Sequence, residues 1–308
     1  MFTAAALIVT ALLTHPSTLR EPQTAAQTRD TRAPQTDQTV AVARGARLTV
    51  NNFAGEVVIR TWDRDQLRVQ ARHTSRAKVN IRQTATVVAI TADTHGTASV
   101  DYEITAPSWM PVKVEGTYNF VTVEGAQSEV SAETVRGDVI IKGGTGTIVA
   151  KSIQGEVIVE GARGRINVSS VNEGIRVSGA SGDITAETTN GHISLTRITS
   201  SNVEVTTVNG NIVFEGPVAD KGRYRFTTHN GSISAAVPDD SNVAFIVRTY
   251  NGDFQTNLSV NGPPRSEARR GRRITYTLGN GSAEMEMETF GGSIRVRRPG
   301  PTAPKENP

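Results

Sequence analysis

Acidic side chains recur directly after a series of glycines, and a row of paired acids could cleave a glycosidic bond. The carboxylates in question are Glu56, Asp138, Glu156 and Asp253. In such chemistry one acid protonates the leaving oxygen while a second attacks the sugar or activates water. Later copies carry Gly174, His192 and Asn211 at this position, and no aromatic platform for sugar rings accompanies it. We therefore interpret these acids as solvated turn charges and predict no catalytic residue.

The one concentrated charge is the segment RSEARRGRR, whose composition suits contact with phosphate groups or an anionic surface. Its candidate binding residues are Arg265, Arg269, Arg270, Arg272 and Arg273, echoed further along by Arg295, Arg297 and Arg298. No aromatic residue is interleaved for base stacking, so nucleic acid is a disfavoured partner. The competing interpretation is a solvated loop without a ligand.

Metal and cofactor chemistry finds little support in the residue pattern. A calcium-binding nonapeptide roll also repeats every nine residues, but it needs a carboxylate where this chain has Ile148, Ile166 and Ile184. The histidines lack metal-ligand spacing; they are His15, His73, His95, His192 and His229. The chain has no cysteine for thiolate ligands or disulfides. We predict no metal site and no cofactor.

A column of amides offers one further chemical possibility. Asn190, Asn209, Asn230 and Asn251 each precede a glycine and continue a series formed by Arg136, Gln154 and Asn172. These amides could present a row of hydrogen-bonding groups to a sugar. The interpretation we favour is structural: Asn-Gly tolerates positive φ in a tight turn, and stacked asparagine side chains can bond one another.

The elements that position these residues follow from an internal repeat. From Gly137 the turn glycines recur every nine residues, and two kinds of turn alternate, so that the unit is about eighteen residues. They are Gly137, Gly146, Gly155, Gly164, Gly182 and Gly191, with Glu173 in one glycine position. The interval then grows to 19 and 21 residues, and a last copy occurs at Gly292. Such a period predicts an all-β solenoid or roll with two short strands per coil.

Alternation within each strand predicts which side chains form the core. The inward positions are Val139, Ile141, Val157, Val159, Ile166, Val168, Ile193, Leu195, Val203 and Val205. A serine or threonine before each corner has the same inward parity; these residues are Thr134, Ser152, Ser170, Thr188, Thr207, Thr228, Thr249 and Thr289. Because a buried hydroxyl without a partner is costly, we predict that each one bonds turn backbone.

The repeat also predicts the domain organisation. Residues 39–298 form one solenoid domain, divided into an N-terminal β cap (39–118), regular coils (119–216) and longer C-terminal coils that end in a hairpin-like segment (217–298). Residues 1–38 comprise a signal or anchor segment, with an apolar run from Ala4 to Leu13, and a disordered linker. Residues 299–308 form a tail. An uncleaved anchor or a misplaced start codon is the alternative to export.

The segments LTVNNFAGEVVIRTWDRDQLRVQA and YEITAPSWMPVKVEG, followed by serial T-x-x-G-x-I units, resemble the bacterial putative-adhesin family. The resemblance covers residues 40–297 and rests on pattern. It implies a β-solenoid-like domain of unknown function in exported or envelope proteins, with no catalytic motif. The family's corner glycine would correspond to Gly55, Gly137, Gly155, Gly191, Gly210, Gly231, Gly252 and Gly292, and Glu173 departs from it.

Together these patterns predict a non-enzymatic, exported protein of the periplasm, outer envelope or cell surface, whose stacked faces act structurally or adhesively. The alternative is an envelope-stress or regulatory binding module that contacts a protein or an anionic surface through the arginine-rich segment. A carbohydrate-active β-helix enzyme is the third hypothesis. Candidate partners are an envelope protein, a glycan or an anionic surface.

Overall fold

The computed structural model describes residues 35–74, 76–94, 98–263 and 271–300, and strands with their connections build this part of the chain. The all-β solenoid predicted from the repeat is confirmed, because successive strands form two parallel ladders within one open sheet. The apolar run Ala4–Leu13 and the histidines His15 and His95 lie outside the described residues. Within the described ranges, no helix has the length and apolar character needed to cross a membrane.

Each coil contributes one strand to each ladder. In spatial order the first ladder contains β4 (Ala77–Gln83), β5 (Val87–Thr94), the first half of β2 (Arg47–Trp62), the first half of β7 (Val112–Ala126), β8 (Val130–Arg136), β10 (Thr145–Gln154), β12 (Arg163–Ser169), β14 (Ser181–Thr188), β16 (Thr199–Asn209), β18 (Arg223–Asn230), β23 (Ala283–Thr289), β20 (Val243–Thr249) and β22 (Ile274–Leu278).

The second ladder runs beside it and begins with two antiparallel strands. In spatial order it contains β1 (Thr36–Ala41), β3 (Gln66–His73), β6 (Val100–Pro107), the second half of β2, the second half of β7, β9 (Val139–Gly143), β11 (Val157–Glu160), β13 (Ile175–Ser178), β15 (Ile193–Thr196), β17 (Ile212–Glu215), β19 (Ile233–Ala236), β24 (Ile294–Arg297) and β21 (Phe254–Thr256).

The inward side chains of both ladders form one continuous apolar cluster. Every position predicted to point inward is buried, from Val139 and Ile141 to Val203 and Val205. Ile148, Ile166 and Ile184, which occupy the ligand position of a calcium roll, belong to the same core. The two-residue alternation therefore places the apolar half of each strand inside and leaves the polar half facing solvent.

The proposed boundary at residue 118 does not separate a cap from the coils. β2 and β7 each run through both ladders and are complete coils, with register partners from Leu48–Val112 to Arg60–Glu124. The antiparallel pairs described at this end are β1 with β3, β3 with β6, and β4 with β5. The nine-residue spacing fails to mark these early coils because Asn119 replaces the corner glycine of β7, and because β3, β4, β5 and β6 lie between β2 and β7 in the chain.

The order of coils at both ends departs from the order in the chain. β5 and β6 follow β2 in sequence but lie on its outer side, and β7 packs on the inner side. At the other end β23 and β24 insert between the coil of β18 and β19 and the coil of β20 and β21.

The hairpin-like segment predicted at the C-terminal end is therefore wrong. β22 and β23 flank β20 on opposite sides, β22 antiparallel and β23 parallel, and do not pair with each other. The alternating Ala283, Met285 and Met287 are buried in the core, so β23 takes the position of a coil strand. The loop between β22 and β23 contains Gly279 and Gly281 at positive φ (61° and 70°) and passes the start of β20, where the Asn280 N–H donates to the Asn242 side chain.

Close contact between coils explains the corner glycines. A Cβ atom at Gly155, Gly210 or Gly231 would overlap the carbonyl oxygen of the corner glycine in the neighbouring coil. Neither these glycines nor the asparagines before Gly191, Gly210 and Gly231 have positive φ, so the prediction of a positive-φ turn at Asn-Gly is wrong. Glycine is required here because there is no room for a side chain between the stacked backbones.

Asn119 and Glu173 stand at corner positions that glycine occupies in most coils, and the contacts of Asn119 show how its side chain is accommodated. Asn119 stands opposite Gly55 in the corner register, and its side chain is buried. The amide turns into the space left by Gly116, donates to the Asn52 carbonyl and accepts from the Asn52 side chain, both at 2.7 Å. In this coil a glycine, Gly116, occupies the hydroxyl position, and a polar side chain, that of Asn119, occupies the glycine position.

We expect Gly210→Ala to lower the free energy of unfolding by about 3 kcal/mol, because the added methyl overpacks a rigid backbone contact. Gly291→Ala is the matched control, since its Cβ would meet mainly the end of the flexible Asn230 side chain. Chemical denaturation followed by circular dichroism measures both variants. Equal stability of the two variants would contradict this account of the corner.

Candidate functional site

One corner of the solenoid, the turn that leads from the first ladder to the second, gathers four columns of side chains that run along the stack. The first column is the buried series of hydroxyls. Ser152, Ser170, Thr188, Thr207, Thr228, Thr249 and Thr289 donate to the corner carbonyls of Gly137, Gly155, Glu173, Gly191, Gly210, Gly292 and Gly231, respectively, at 2.7 to 3.2 Å.

The predicted bond from hydroxyl to turn backbone is thus confirmed, and its partner belongs to the adjacent coil. Thr134, at the end of the regular series, bonds the carbonyls of Thr117 and Arg136 at longer distances of 3.4 and 3.3 Å. Each of these hydroxyls donates a hydrogen bond to a corner carbonyl of the adjacent coil, and these bonds link neighbouring corners.

The second column is the row of amides, and it forms the ladder that the sequence predicts. The Asn209 side chain donates to Asn190 at 2.8 Å, and Asn230 donates to Asn209 at 2.9 Å. Asn190 continues the row to Asn172 at 3.4 Å. Gly291 occupies the coil between Asn230 and Asn251, because β23 and β24 insert there. The amide column therefore ends before Asn251.

The third column follows the corner residue and contains the suspected acids. Asp138 Oδ1 accepts the backbone N–H of Glu156 at 2.8 Å, and His192 Nδ1 accepts that of Asn211 at 2.9 Å. Asn211 in turn accepts the Ser232 N–H at 2.8 Å. Side chains as different as carboxylate, imidazole and amide perform one task here, which is to accept an N–H from the next coil. Within the described residues, no group of three or more metal-ligating side chains is present.

The fourth column is apolar and exposed, and sequence reasoning overlooked it. It follows the hydroxyl column directly and contains Phe53, Val135, Ile153, Val171, Val208 and Phe290, each 38 to 45% exposed. Tyr118 and Phe120 lie in the adjoining columns of the same corner. These eight are all of the exposed large hydrophobic side chains in the part of the chain that the structure describes. We call this surface, together with the amide column, the corner ridge.

The signal for this column was already in the repeat. In successive coils the residue between the hydroxyl and the amide position is Val135, Ile153, Val171, Thr189, Val208 and His229. Strand parity turns it outward because its neighbour, the hydroxyl, points inward. The T-x-x-G pattern by itself assigns this position to the turn, and its outward direction follows only from the inward direction of the hydroxyl beside it.

Aromatic groups lie at both ends of the corner ridge. Near the first coils, Phe53 and Tyr118 meet edge to face at 5.5 Å between ring centroids, and Arg136 lies over Tyr118 at 5.6 Å. Near the last coils, His229 stacks on Phe290 at 4.8 Å with the rings 4° from parallel. Tyr250 packs on the same Phe290 at 5.2 Å.

The expectation that no aromatic platform accompanies the acids is wrong. Phe120 occupies the column of Asp138, as the pairing of Val121 with Val139 shows, and it is 58% exposed. Phe120 borders a shallow groove of about 720 Å³ along the corner. The other residues of this groove are Arg136, Gly137, Asp138, Gln154, Gly155, Glu156, Asn172 and Glu173.

The arginine-rich segment is only partly described. Arg265, Arg269 and Arg270 lie outside the described residues. Arg272 is exposed, and Arg273 forms an ion pair with Glu286 at 3.0 Å. Arg295 and Arg297 lie on β24 of the second ladder, whereas Arg273 pairs with a residue of the first ladder. Arg298 is bonded to Asp239 at 2.6 Å. The described arginines thus do not form one patch.

The flat faces of the ladders carry mixed charge in local pairs. Glu124 lies 3.6 Å from Arg60 and 2.9 Å from Lys142, and its hydrogen bond to Lys142 raises the pKa of that ammonium group. Arg176 pairs with Glu156. Exposed pairs of this kind contribute little to stability or binding by themselves.

These features define a class, the open β-solenoid whose coils stack through a repeated corner. The chain belongs to the Toastrack DUF4097 family, whose model matches residues 46–297 and which is a domain of unknown function. A search of curated proteins found no match. The crystal structure of a putative cell adhesion protein from Clostridium sporogenes ATCC 15579 matches at 12% identity and a TM-score of 0.22, covering 86% of this chain and 99% of that chain. This likeness is too distant to transfer a function.

We expect Asn209→Ala to lower the free energy of unfolding by about 1 kcal/mol, because it removes one bond and leaves the neighbouring amides without their partner. Asn251→Ala is the control with the same change of side chain, and it should cost less because Gly291 separates Asn251 from the ladder. Thermal and urea unfolding of both variants measures the difference. Equal losses would show that the amide ladder does not stabilise the corner.

Proposed function

We propose that this chain is a non-enzymatic, exported cell-envelope protein that uses the corner ridge as an adhesive or structural contact surface. The observation that carries the proposal is the collection of exposed large apolar side chains on one corner. Soluble proteins rarely expose contiguous apolar surface without a binding role. Neighbouring coils are about 4.8 Å apart, so Val135, Ile153 and Val171 on consecutive coils lie close enough to form an apolar strip. Thr189 separates this strip from Val208.

The rigidity of the corner supports a binding role. The side chains of the ridge alternate with hydroxyls that are buried and hydrogen-bonded to the next coil. The backbone beneath each ridge residue is therefore held in place before any partner arrives. A preordered surface loses less conformational entropy on binding, which favours affinity.

The state of the polar groups supports a role without catalysis. Asp138 and His192 each accept a backbone N–H from the neighbouring coil. The Glu156 carboxylate pairs with Arg176. Groups engaged in the stack in this way are poor choices for a general acid, base or nucleophile, which needs a reacting atom of the substrate within reach.

Export remains a proposal from the sequence, since the apolar run Ala4–Leu13 is about the length of a signal-peptide core. Fractionation of cells that express the tagged full chain tests it. We expect the protein in the periplasm, the outer envelope or at the surface, and recovery in the cytoplasm alone contradicts this part of the proposal.

Binding to isolated envelope fragments tests the ridge. We expect Val135→Ser, Ile153→Ser and Val208→Ser, combined in the full chain, to weaken cosedimentation at least about tenfold, because three apolar contacts are lost. The matched control combines Ile140→Ser, Ile158→Ser and Val213→Ser, which lie in the same coils but on the flat face of the second ladder. Equal binding by the two triple variants would contradict the proposed contact surface.

A further inference from the structure

We propose that the corner ridge binds a linear glycan of uncharged sugar units, which lies along the axis of the solenoid. This inference rests on the proposed function, because it names the ligand of the same contact surface. Three features of the ridge carry it: the period of its columns, the pairing of aromatic rings with amides, and the charge of the groove beside Phe120.

The period favours a polymer of sugars. Equivalent side chains recur along the ridge once per coil, at about 4.8 Å. One pyranose unit in an extended β-1,4-linked chain advances by a similar distance, so successive sugars can lie over successive coils, with every second sugar presenting the same face. An extended peptide advances by about 3.3 Å per residue and falls out of step with the coils.

A peptide also lacks the main-chain partners it would need. Peptides that add to a β-sheet bind through free backbone groups of an edge strand. At this corner the backbone N–H groups of Gly137, Asn190 and Asn209 already donate to neighbouring coils, at 2.8 to 2.9 Å. The ridge therefore binds a ligand through side chains and not through backbone groups, and a glycan can be bound in this way.

The aromatic rings suit the apolar faces of sugars. Phe120 is the most exposed large hydrophobic side chain among the described residues, and its ring borders the groove. At the other end of the ridge, the stack of His229 and Phe290 presents a second platform. Ring faces carry negative charge density and attract the weakly positive C–H groups of a pyranose. Ile153 and Val208 are exposed apolar side chains of the ridge between the two platforms.

The amides supply the polar half of the recognition. Asn190 and Asn209 each use one N–H and one lone pair of the carbonyl oxygen for their neighbours in the ladder. A second N–H and a second lone pair stay available on Asn209. Sugar hydroxyls both donate and accept, so a row of such amides can bond one hydroxyl after another without a change in the protein.

The charge of the groove selects against anionic glycans. Asp138, Glu156 and Glu173 line it together with Arg136, and Arg176 pairs with Glu156, so acidic groups still outnumber the cations. Carboxylates accept hydrogen bonds from neutral hydroxyls but repel uronate, sulfate or phosphate groups. An uncharged glycan fits this balance, whereas an anionic one does not.

The direct test uses the full chain and titration calorimetry with β-1,4-linked N-acetylglucosamine oligomers. A hexamer spans several coils and a dimer about two, so we expect the hexamer to bind at least about tenfold more tightly. A polygalacturonate hexamer should bind more weakly than the neutral hexamer. Equal affinity for dimer and hexamer, or no binding of either neutral oligomer, overturns the inference.

Two variants assign the binding to the ridge. We expect Phe120→Ser combined with Phe290→Ser to weaken hexamer binding about tenfold, and the flat-face triple variant to leave it unchanged. Circular dichroism checks that each variant is folded. The comparison of dimer with hexamer uses the unaltered chain, so that test does not depend on the folding of any variant. Unchanged affinity of the folded double variant overturns the inference.

Envelope fragments separate this inference from the proposed function. If the ligand is a glycan, fragments digested with protease keep their binding to the full chain. If binding depends on the ridge but disappears after protease treatment, the partner is a protein and the glycan inference fails while the proposed function stands. If the ridge triple variant binds untreated fragments like the unaltered chain, both fail.

Discussion

The structure depends on the close approach of backbones at one corner of the coil. There the carbonyl of one coil occupies the space that a Cβ atom would need in the next, so Gly155, Gly210 and Gly231 have no substitute that leaves the spacing intact. The hydroxyl column bonds the same carbonyls. Register between coils is thereby set at the corner, and the alternation of each strand then assigns every other side chain to the core or to solvent.

The apolar strip follows from this arrangement. Because the hydroxyl before each corner must point inward to reach its carbonyl, the next residue must point outward. This outward position could hold a polar side chain, as Thr189 shows, yet Val135, Ile153, Val171 and Val208 are apolar. Geometry decides that the position faces outward, but it does not require an apolar side chain there. This is the physical reason for proposing a contact surface at the corner and not on the flat faces, where charges pair locally.

Much of this fold could be predicted from the sequence because the repeat shows which residues occupy equivalent positions in the coils. The period predicted the ladders, the buried set and the hydroxyl bonds, and each is confirmed. The order of the end coils could not be predicted, since a repeat shows which residues are equivalent but not which copies are neighbours. The presence of Asn119 at a glycine position could not be predicted either, because its side chain fits only where Gly116 leaves room. Phe120 was missed, although it lies eighteen residues before Asp138 in the same column.

Hydroxyl-radical footprinting of the full chain, free and bound to envelope fragments, tests most directly the central claim that one corner both stacks the coils and carries the contact surface. The account predicts that the side chains of Phe120, Val208 and Phe290 become protected on binding while Ile140 and Ile158 on the flat face keep their reactivity. Protection confined to the flat faces or to the arginine-rich segment, with the ridge unchanged, would contradict it.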